Sequence, residues 1–457
     1  MSGSSFPPVF AGRRFAVLGL GRNGLPAALA LAAMGADVTA WDDDPAVRAA
    51  ARFVRLANPF AIPPDTDALI LSPGIPHTFP QPHPAAARAA ALGIPMLSDA
   101  ELLFRAVRAA GSRARFIGIT GTNGKSTTTA LIAHILREAG AAVAAGGNLG
   151  PAALALPLLP DGGNYIIEMS SYMLERIEEL RFDIAVLLNL SPDHLDRHGG
   201  MAGYIAAKRQ IFAHRAADGL AVIGIDDQPS REMAASLAAP IICISGESSA
   251  DVWCESGGLC DRDGLIMAMH EAQALPGTHN AQNAAAATAT ALALGIARPT
   301  IGAAIRSFAG LPHRQERICE VGGVAFINDS KATNADSAAR ALACYERVVW
   351  IAGGIGKEGG IEPLAPFFPR IAEALLVGRD APLFAATLAR HKVPHSILAQ
   401  LDEAVPAAFL SAQARCVPIV LLSPAAASFD QFKGFPERGE RFALLARALC
   451  ARTGRAA

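Results

Sequence analysis

The sequence predicts an α/β protein of three successive domains, and three observations carry that expectation. Short apolar runs alternate with helically spaced stretches along nearly all 457 residues. Glycine-rich turns follow two of those runs, at Gly19–Gly24 and at Gly121–Lys125. Hydrophobic residues make up 51% of the chain, enough to bury several sheets and too many for global disorder.

The first domain is expected over residues 1–110 and is Rossmann-like. Phe15–Leu18 reads as a strand, Gly19-Leu20-Gly21-Arg22-Asn23-Gly24 matches G-x-G-x-x-G, and Leu25–Met34 reads as the helix behind it. A second strand, Asp37–Trp41, ends in Asp42, where such a unit grips a ribose hydroxyl. Ala68–Leu71 runs into the tight turn Ser72-Pro73-Gly74-Ile75. NAD is the first ligand this pattern suggests. The same geometry holds the diphosphate of another nucleotide, such as a UDP-sugar, and glycines serving only helix–strand packing are the plain alternative.

The central domain, residues 111–311, is P-loop-type. The apolar run Arg115–Thr120 precedes Gly121-Thr122-Asn123-Gly124-Lys125-Ser126-Thr127, and Thr128–Ala139 has helical spacing. Backbone N–H groups and the helix N-terminus favour phosphate there. Lys125 meets its charge, and Ser126 or Thr127 can ligate Mg²⁺. Ile119 stands where G-x-x-x-x-G-K-[ST] has its first glycine. An ordinary strand-to-helix turn is the alternative. Gly146–Gly150 reads as a loop containing Asn148, and Tyr165–Ser171 as a strand ending at the carboxylate of Glu168. Ile184–Asn189 runs into Asp193-His194-Leu195-Asp196. Carboxylate and imidazole at strand ends near a phosphate cradle suit Mg²⁺. Lys208 lies in the helical stretch Tyr204–Phe212, and on spacing alone it reads as a surface lysine. Ala250–His270 reads as polar hairpin-like connections. Asn280 and Asn283 open the helix Ala284–Leu294, facing an adenine or, for Asn280, capping the helix.

The third domain, residues 312–457, is again Rossmann-like. Strands at Val324–Asn328, Val348–Ala352, Ala374–Val377 and Pro418–Leu422 lead into polar loops. Three of these loops carry Lys331 with Thr333, Lys357 and Ser428. Two cations with hydroxyls suit a substrate bearing more than one carboxylate.

The totals narrow the classes. A net charge of −1 gives no electrostatic argument for nucleic acid or an anionic membrane, and neither is expected as a partner. Seven cysteines, an odd number without a C-x-x-C pair, read as free thiols in a reducing compartment. Met1–Arg14 lacks the pattern of a signal peptide, and the Ala-rich runs fall short of a membrane span. A cytoplasmic protein is expected.

With these residues in view, the chain resembles the Mur ligases of peptidoglycan synthesis over nearly its whole length. The cradle Thr120–Thr127 and the run Asp193–His198 carry the superfamily resemblance. Asp329–Asn334 and Ser428–Phe432 point to the branch that adds D-glutamate. The resemblance implies an ATP-dependent amide ligase. It would join D-glutamate to UDP-N-acetylmuramoyl-L-alanine through an acyl phosphate, releasing ADP and phosphate in the cytoplasm as a monomer. It implies UDP-substrate contacts at Gly19–Gly24, Asp42, Ser72, Pro73, Gly74 and Asn148. ATP contacts are implied at Gly121–Thr127, Asn280, Asn283, Arg314 and Asp329. D-glutamate contacts are implied at Lys331, Thr333, Lys357, Ser428 and Phe435. Lys125, Glu168, His194 and Lys208 would be catalytic. Ser126, Glu168 and His194 would hold Mg²⁺ together with Lys208 as an N-carboxylated lysine, which reverses the surface reading. A dehydrogenase resting on Gly19–Gly24 alone, a nucleotide switch resting on the cradle alone, other Mur ligases and the folylpolyglutamate synthetases are the competing classes.

Overall fold

The apolar runs become strands because a parallel sheet buries both faces, and these runs are rich in Val, Ile, Leu and Ala. The structure is a computed structural model and describes residues 6–51, 54–58, 62–148, 150–357 and 359–453. Three sheets follow one another along the chain, with a two-stranded ribbon beside the third.

The first sheet holds β1 (Arg14–Leu18), β2 (Asp37–Trp41), β3 (Arg55–Leu56), β4 (Ala68–Leu71) and β5 (Met96–Leu97). All are parallel, in the order β3-β2-β1-β4-β5. The winding reverses between β1 and β4. The turns after those two strands therefore diverge and leave a crevice at their C-terminal ends.

The second sheet holds β6 (Arg115–Thr120), β7 (Val143–Gly147), β8 (Asn164–Glu168), β9 (Phe182–Leu187), β10 (Arg215–Gly224), β11 (Ile241–Ser245), β12 (Val252–Glu255), β13 (Gly258–Asp261) and β14 (Gly264–Ala268). Its order is β14-β13-β12-β11-β10-β9-β6-β8-β7. It is parallel from β7 to β12 and antiparallel beyond. Here β6 lies between β8 and β9, so three adjacent strand ends open on one edge. One expectation is borne out and extended, and one is corrected. The segment 250–270 supplies two hairpins that extend the sheet, and it does so because Leu259 and Met267 bury their side chains. Gly146 and Gly147 close β7, so the expected loop begins after them.

The third sheet holds β15 (Glu316–Val321), β16 (Val324–Asn328), β17 (Val348–Gly353), β19 (Ile371–Val377), β20 (His395–Ile397) and β21 (Ile419–Leu422). Its order is β15-β16-β21-β17-β19-β20, and only β15 is antiparallel to its neighbour. The ribbon pairs β18 (Ile355–Gly356) with β22 (Ala426–Ala427). Side chains alternate across this sheet. Trp350 packs in one apolar cluster and Val349 with Ile351 in the other.

The chain divides into two compact units. One runs through Glu271 and includes Thr278–Phe308, while the other holds Ala272–Gly277 and the chain from Ala309. Within the first unit, one apolar cluster joins both sheets, from Val17 and Leu31 to Phe116, Tyr165 and Ile167. Phe116 stacks on Tyr165 at 4.8 Å between ring centres.

The joint between these sheets rests on a carboxylate. Ser98 caps the helix Asp99–Ala109 by accepting from Glu101 N–H at 3.2 Å. The Glu101 side chain is fully buried and accepts from the N–H groups of Glu178, Glu179 and Leu180, and from Arg105. Burial alone would raise its pKa. The N–H groups of Glu178 and Leu180, with Arg105, outweigh burial and hold it below its ordinary 4.5. A carboxyl lowered on folding stabilises fully above that ordinary value and loses its contribution as the pH falls through the lowered one. Glu101→Gln should therefore cost about 1–3 kcal/mol at pH 7, because a buried N–H loses its acceptor. As the pH falls below 4.5 the gap between variant and parent should narrow. Calorimetric melting across pH 3–7 measures both, and a constant gap would contradict the linkage.

Candidate active site

The cradle is built at the end of β6. Gly121 and Gly124 take positive φ of 148° and 85°, and the helix Lys125–Glu138 starts directly after. A Cβ at Gly124 would lie 2.1 Å from Asn283 Oδ1. Only glycine lets the turn pass this close. Lys125 Nζ donates to the carbonyls of Gly121 at 2.9 Å and Thr122 at 2.8 Å. Ser126 is buried at the first turn of the helix.

Residues outside the expected set pin this turn. Asn189, just past β9, accepts from Asn123 N–H through its side chain at 2.9 Å and from Thr122 N–H through its carbonyl at 2.9 Å. Its amide donates to Gln282, which donates to Asp226. Asn189 ends an apolar run with a polar residue, and that was its one sequence signal. Gln282 had none. Asn280 and Asn283 are buried within the helix Thr278–Ala293. Asn283 accepts from Thr128 Oγ1 at 3.1 Å and donates to Asn280 Oδ1 at 3.0 Å. The helix starts at Thr278, two residues before Asn280, so Asn280 is not its cap.

Lys208 overturns its surface reading. It projects from the helix Met201–Ala213 and is 2% exposed. Its Nζ donates to Gly121 O at 2.9 Å and to Thr120 Oγ1 at 3.4 Å, and lies 4.7 Å from the centre of the Tyr204 ring. Burial, followed by the nearby Lys125 charge, pushes its pKa well below the usual lysine value.

Glu168 ends β8 and is 2% exposed. Oε1 accepts from Asn148 Nδ2 at 2.9 Å, while Oε2 is buried with no partner among the described residues. A buried carboxylate oxygen left over in this way suits a cation. Asn148 thus stands with Glu168 and is not among the residues lining the cleft of the first sheet. His194 adopts φ 51°, an uncommon backbone for a non-glycine, with Asp193 Oδ2 at 3.5 Å and Tyr172 beside its ring. Among the described residues, no three His, Cys, Asp or Glu side chains form a ready metal cluster. Glu168 therefore stands without two further His, Cys, Asp or Glu side chains grouped around it among the described residues.

At the first sheet, Gly19, Gly21, Arg22, Asn23, Asp42, Asp43, Ser72, Pro73 and Ile75 line a cleft of about 360 Å³. Ser72 Oγ donates to Gly19 O at 2.9 Å. Asp42 accepts from Leu20 N–H at 2.7 Å and Asp44 N–H at 2.9 Å, which braces the loop. A Cβ at Gly24 would lie 1.7 Å from Gly19 O, so packing explains that glycine. Gly21 meets nothing within 4 Å, so packing does not explain it. Asn23 Nδ2 donates to Gly147 O at 3.0 Å and ties this loop to β7. Arg197 reaches Gly74 O at 3.2 Å, and Arg176 reaches Leu71 O at 2.8 Å. The sequence did not single out Arg176, and it placed Arg197 in the Asp193–His198 run without a role of its own.

In the second unit, Asp329 is buried. Burial raises its pKa to about 7, although the Ser423 hydroxyl donates to it at 2.7 Å. Gln315 N–H also reaches Asp329, and Arg314 bears on its charge. Lys331 Nζ sits 4.3 Å over the Phe435 ring. Ser428 Oγ is buried with no partner among the described residues. Lys357 and Ser428 each follow directly on a ribbon strand, and Thr333 lies on the loop after β16.

Strand ends carrying a phosphate-type cradle, a buried carboxylate and a masked lysine define an α/β enzyme built to manage anionic groups. The Mur ligase middle domain model matches residues 119–291. UDP-N-acetylmuramoylalanine--D-glutamate ligase of Paramagnetospirillum magneticum is 49% identical over 451 residues, covering 96% of this chain and 98% of that protein. Among solved structures, UDP-N-acetylmuramate-alanine ligase MurC from Thermotoga maritima aligns with a TM-score of 0.61 at 17% identity, covering 95% of this chain and 99% of that one. MurF ligase from Thermotoga maritima, solved in complex with ADP, aligns with a TM-score of 0.56 at 17% identity, covering 79% and 91%. The two structures speak for the fold alone. The chain belongs to the Mur ligase family, in the group of the UDP-N-acetylmuramoylalanine--D-glutamate ligases.

Gly124→Ala tests the cradle. The added methyl must displace Asn283 and adopt a strained backbone, a cost of roughly 1–3 kcal/mol. The melting temperature of the first unit should fall, and an unchanged value would mean that the turn has room.

Proposed function

We propose that the chain is an ATP-dependent amide ligase that joins D-glutamate to UDP-N-acetylmuramoyl-L-alanine, in the cytoplasm, in three functional domains at 1–110, 111–311 and 312–457. One observation carries the chemistry: a fully buried lysine, Lys208, donates to the same Gly121 carbonyl as the cradle lysine. Family membership supplies the reaction class.

The triphosphate takes the Gly121–Thr127 turn, with Asn280, Asn283, Arg314 and Asp329 on the nucleotide side. The UDP portion of the acceptor takes the cleft at Gly19–Gly24, Asp42 and Ser72–Gly74. D-Glutamate takes Lys331, Thr333, Lys357, Ser428 and the Phe435 segment. A carboxylate does not acylate an amine at neutral pH. The acceptor carboxylate therefore attacks the γ-phosphate, ADP leaves, and the glutamate amine displaces phosphate from the acyl phosphate. Lys125 offsets charge that builds on the transferring group, and the backbone N–H groups orient it. The residues fit Mg²⁺, which Glu168, His194, Ser126 and Lys208 as its carbamate would hold. Bound there, the ion would neutralise phosphate charge. Lys208 suits carboxylation because burial favours the neutral, nucleophilic form of its amine.

The direct test measures ADP release over a panel of UDP-muramoyl acceptors and amino acids, including both glutamate enantiomers. Release should require UDP-N-acetylmuramoyl-L-alanine and D-glutamate together. Slow hydrolysis indifferent to both would identify a nucleotide switch, and preference for another pair would move the chain to another ligase specificity.

Lys208→Ala should lose at least roughly 100-fold in kcat, in line with the loss of a positioned electrostatic group. Short carboxylates such as acetate should restore part of it. A fully active, bicarbonate-indifferent variant would remove the carbamate from the account.

A further inference from the structure

The loops that carry Lys331, Lys357 and Ser428 leave three different strands, and nothing in their own sequence sets their spacing. One side chain touches all three. Arg438, on the helix Phe435–Thr453, is 2% exposed. Its Nε donates to Ser330 Oγ at 2.9 Å and its Nη2 to Ser330 O at 2.8 Å. Its Nη1 donates to Ala426 O at 3.0 Å and more weakly to Gly353 O at 3.4 Å. These acceptors belong to the loop after β16, the start of the ribbon strand β22, and the end of β17.

We propose that Arg438 is a positioning residue for the incoming amino acid, setting the separation of Lys331 from the Lys357–Ser428 pair. The inference rests on the ligase reading for the identity of that amino acid. The contacts lead to the site by two routes. Ser330 Oγ accepts from Arg438 and donates to Phe435 O at 2.8 Å, and the Phe435 ring carries the Lys331 ammonium. The ribbon pairs Ile355 with Ala427 and Gly356 with Ala426, so Lys357 and Ser428 follow directly from a register that Arg438 anchors at Gly353 and Ala426. There is no slack in this arrangement. A Cβ on Gly354 would lie 2.2 Å from Ala427 O and 3.3 Å from Arg438 Nη1.

The residue type matters. A guanidinium is a rigid planar fork with five donors, whereas an ammonium is a single point with three. Burial lowers the Arg438 pKa to about 10, and Asp430 and Asp329 act against that, so the charge persists at neutral pH. Lysine would keep the charge and could not span Ser330, Gly353 and Ala426 together.

Arg438→Lys in the full-length chain is the test, with Ser330→Ala as a milder variant that cuts only the Phe435 route. In Arg438→Lys the KM for D-glutamate should rise roughly tenfold or more, with the KM values for ATP and the UDP-substrate within about twofold of the parent, because misplacement of about an ångström is felt only where the amino acid docks. Ser330→Ala should move the same KM in the same direction by a smaller factor. Hydrogen exchange should speed up in 355–357 and 426–428 of Arg438→Lys while the other strands of the third sheet keep their protection. Equal rises in all three KM values, or no rise in a folded Ser330→Ala, would overturn the proposal. If the parent protein does not turn over with D-glutamate, the ligase reading falls, and the exchange pattern alone then decides: local loss of protection supports the positioning role, and uniform or absent loss refutes it.

Discussion

Two lysine side chains converge on the carbonyl of Gly121. Lys125 approaches from the helix that begins at the cradle, and Lys208 from a helix more than eighty residues later in the chain. Two full ammonium charges this close, one of them sealed from water, would repel each other strongly. Burial, and after it the Lys125 charge, depresses the proton affinity of the buried partner. One lysine is placed to meet phosphate as a cation, and the other is shifted toward the uncharged amine. The surrounding site follows from that division. Glu168 presents an unspent carboxylate oxygen at the neighbouring strand end, Asn148 orients it, and the 193–198 run leaves from the strand on the other side.

Much of the positioning here is done by polar side chains bonded to backbone groups. Asn189 and Gln282 hold the turn after β6. Arg176 and Arg197 hold the carbonyls of Leu71 and Gly74 on either side of the Ser72 turn. Arg438 does the same for the third sheet. The arginines reach main-chain or hydroxyl oxygens, and Asn189 links main-chain N–H groups to Gln282, so loops are fixed without an ion pair that would have to be desolvated at both ends.

This explains what was legible in the sequence. Strands such as Arg115–Thr120 and Val324–Asn328 declared themselves by apolar continuity, and the glycine turns by residue type at fixed spacing. The β12–β14 hairpins were underrated because their polar faces hid the buried Leu259 and Met267. Lys208 was misjudged on spacing because helical periodicity does not say which face of a helix is covered, and only the resemblance recovered it. The roles of Asn189, Gln282, Arg176, Arg197 and Arg438 went unseen because they exist only in three dimensions. Each residue bonds to a segment remote in sequence, and no local pattern encodes that.

The hydrogen bond from Thr128 to Asn283 joins positions 155 apart. Contacts of such separation form late, since a long loop must close before they contribute. During synthesis the turn at 121–127 emerges well before the helix 278–293 that backs it. A nascent chain therefore lacks the finished cradle until the whole central sheet has left the ribosome, and a half-made protein has no completed pocket in which a nucleotide could stabilise an incomplete fold.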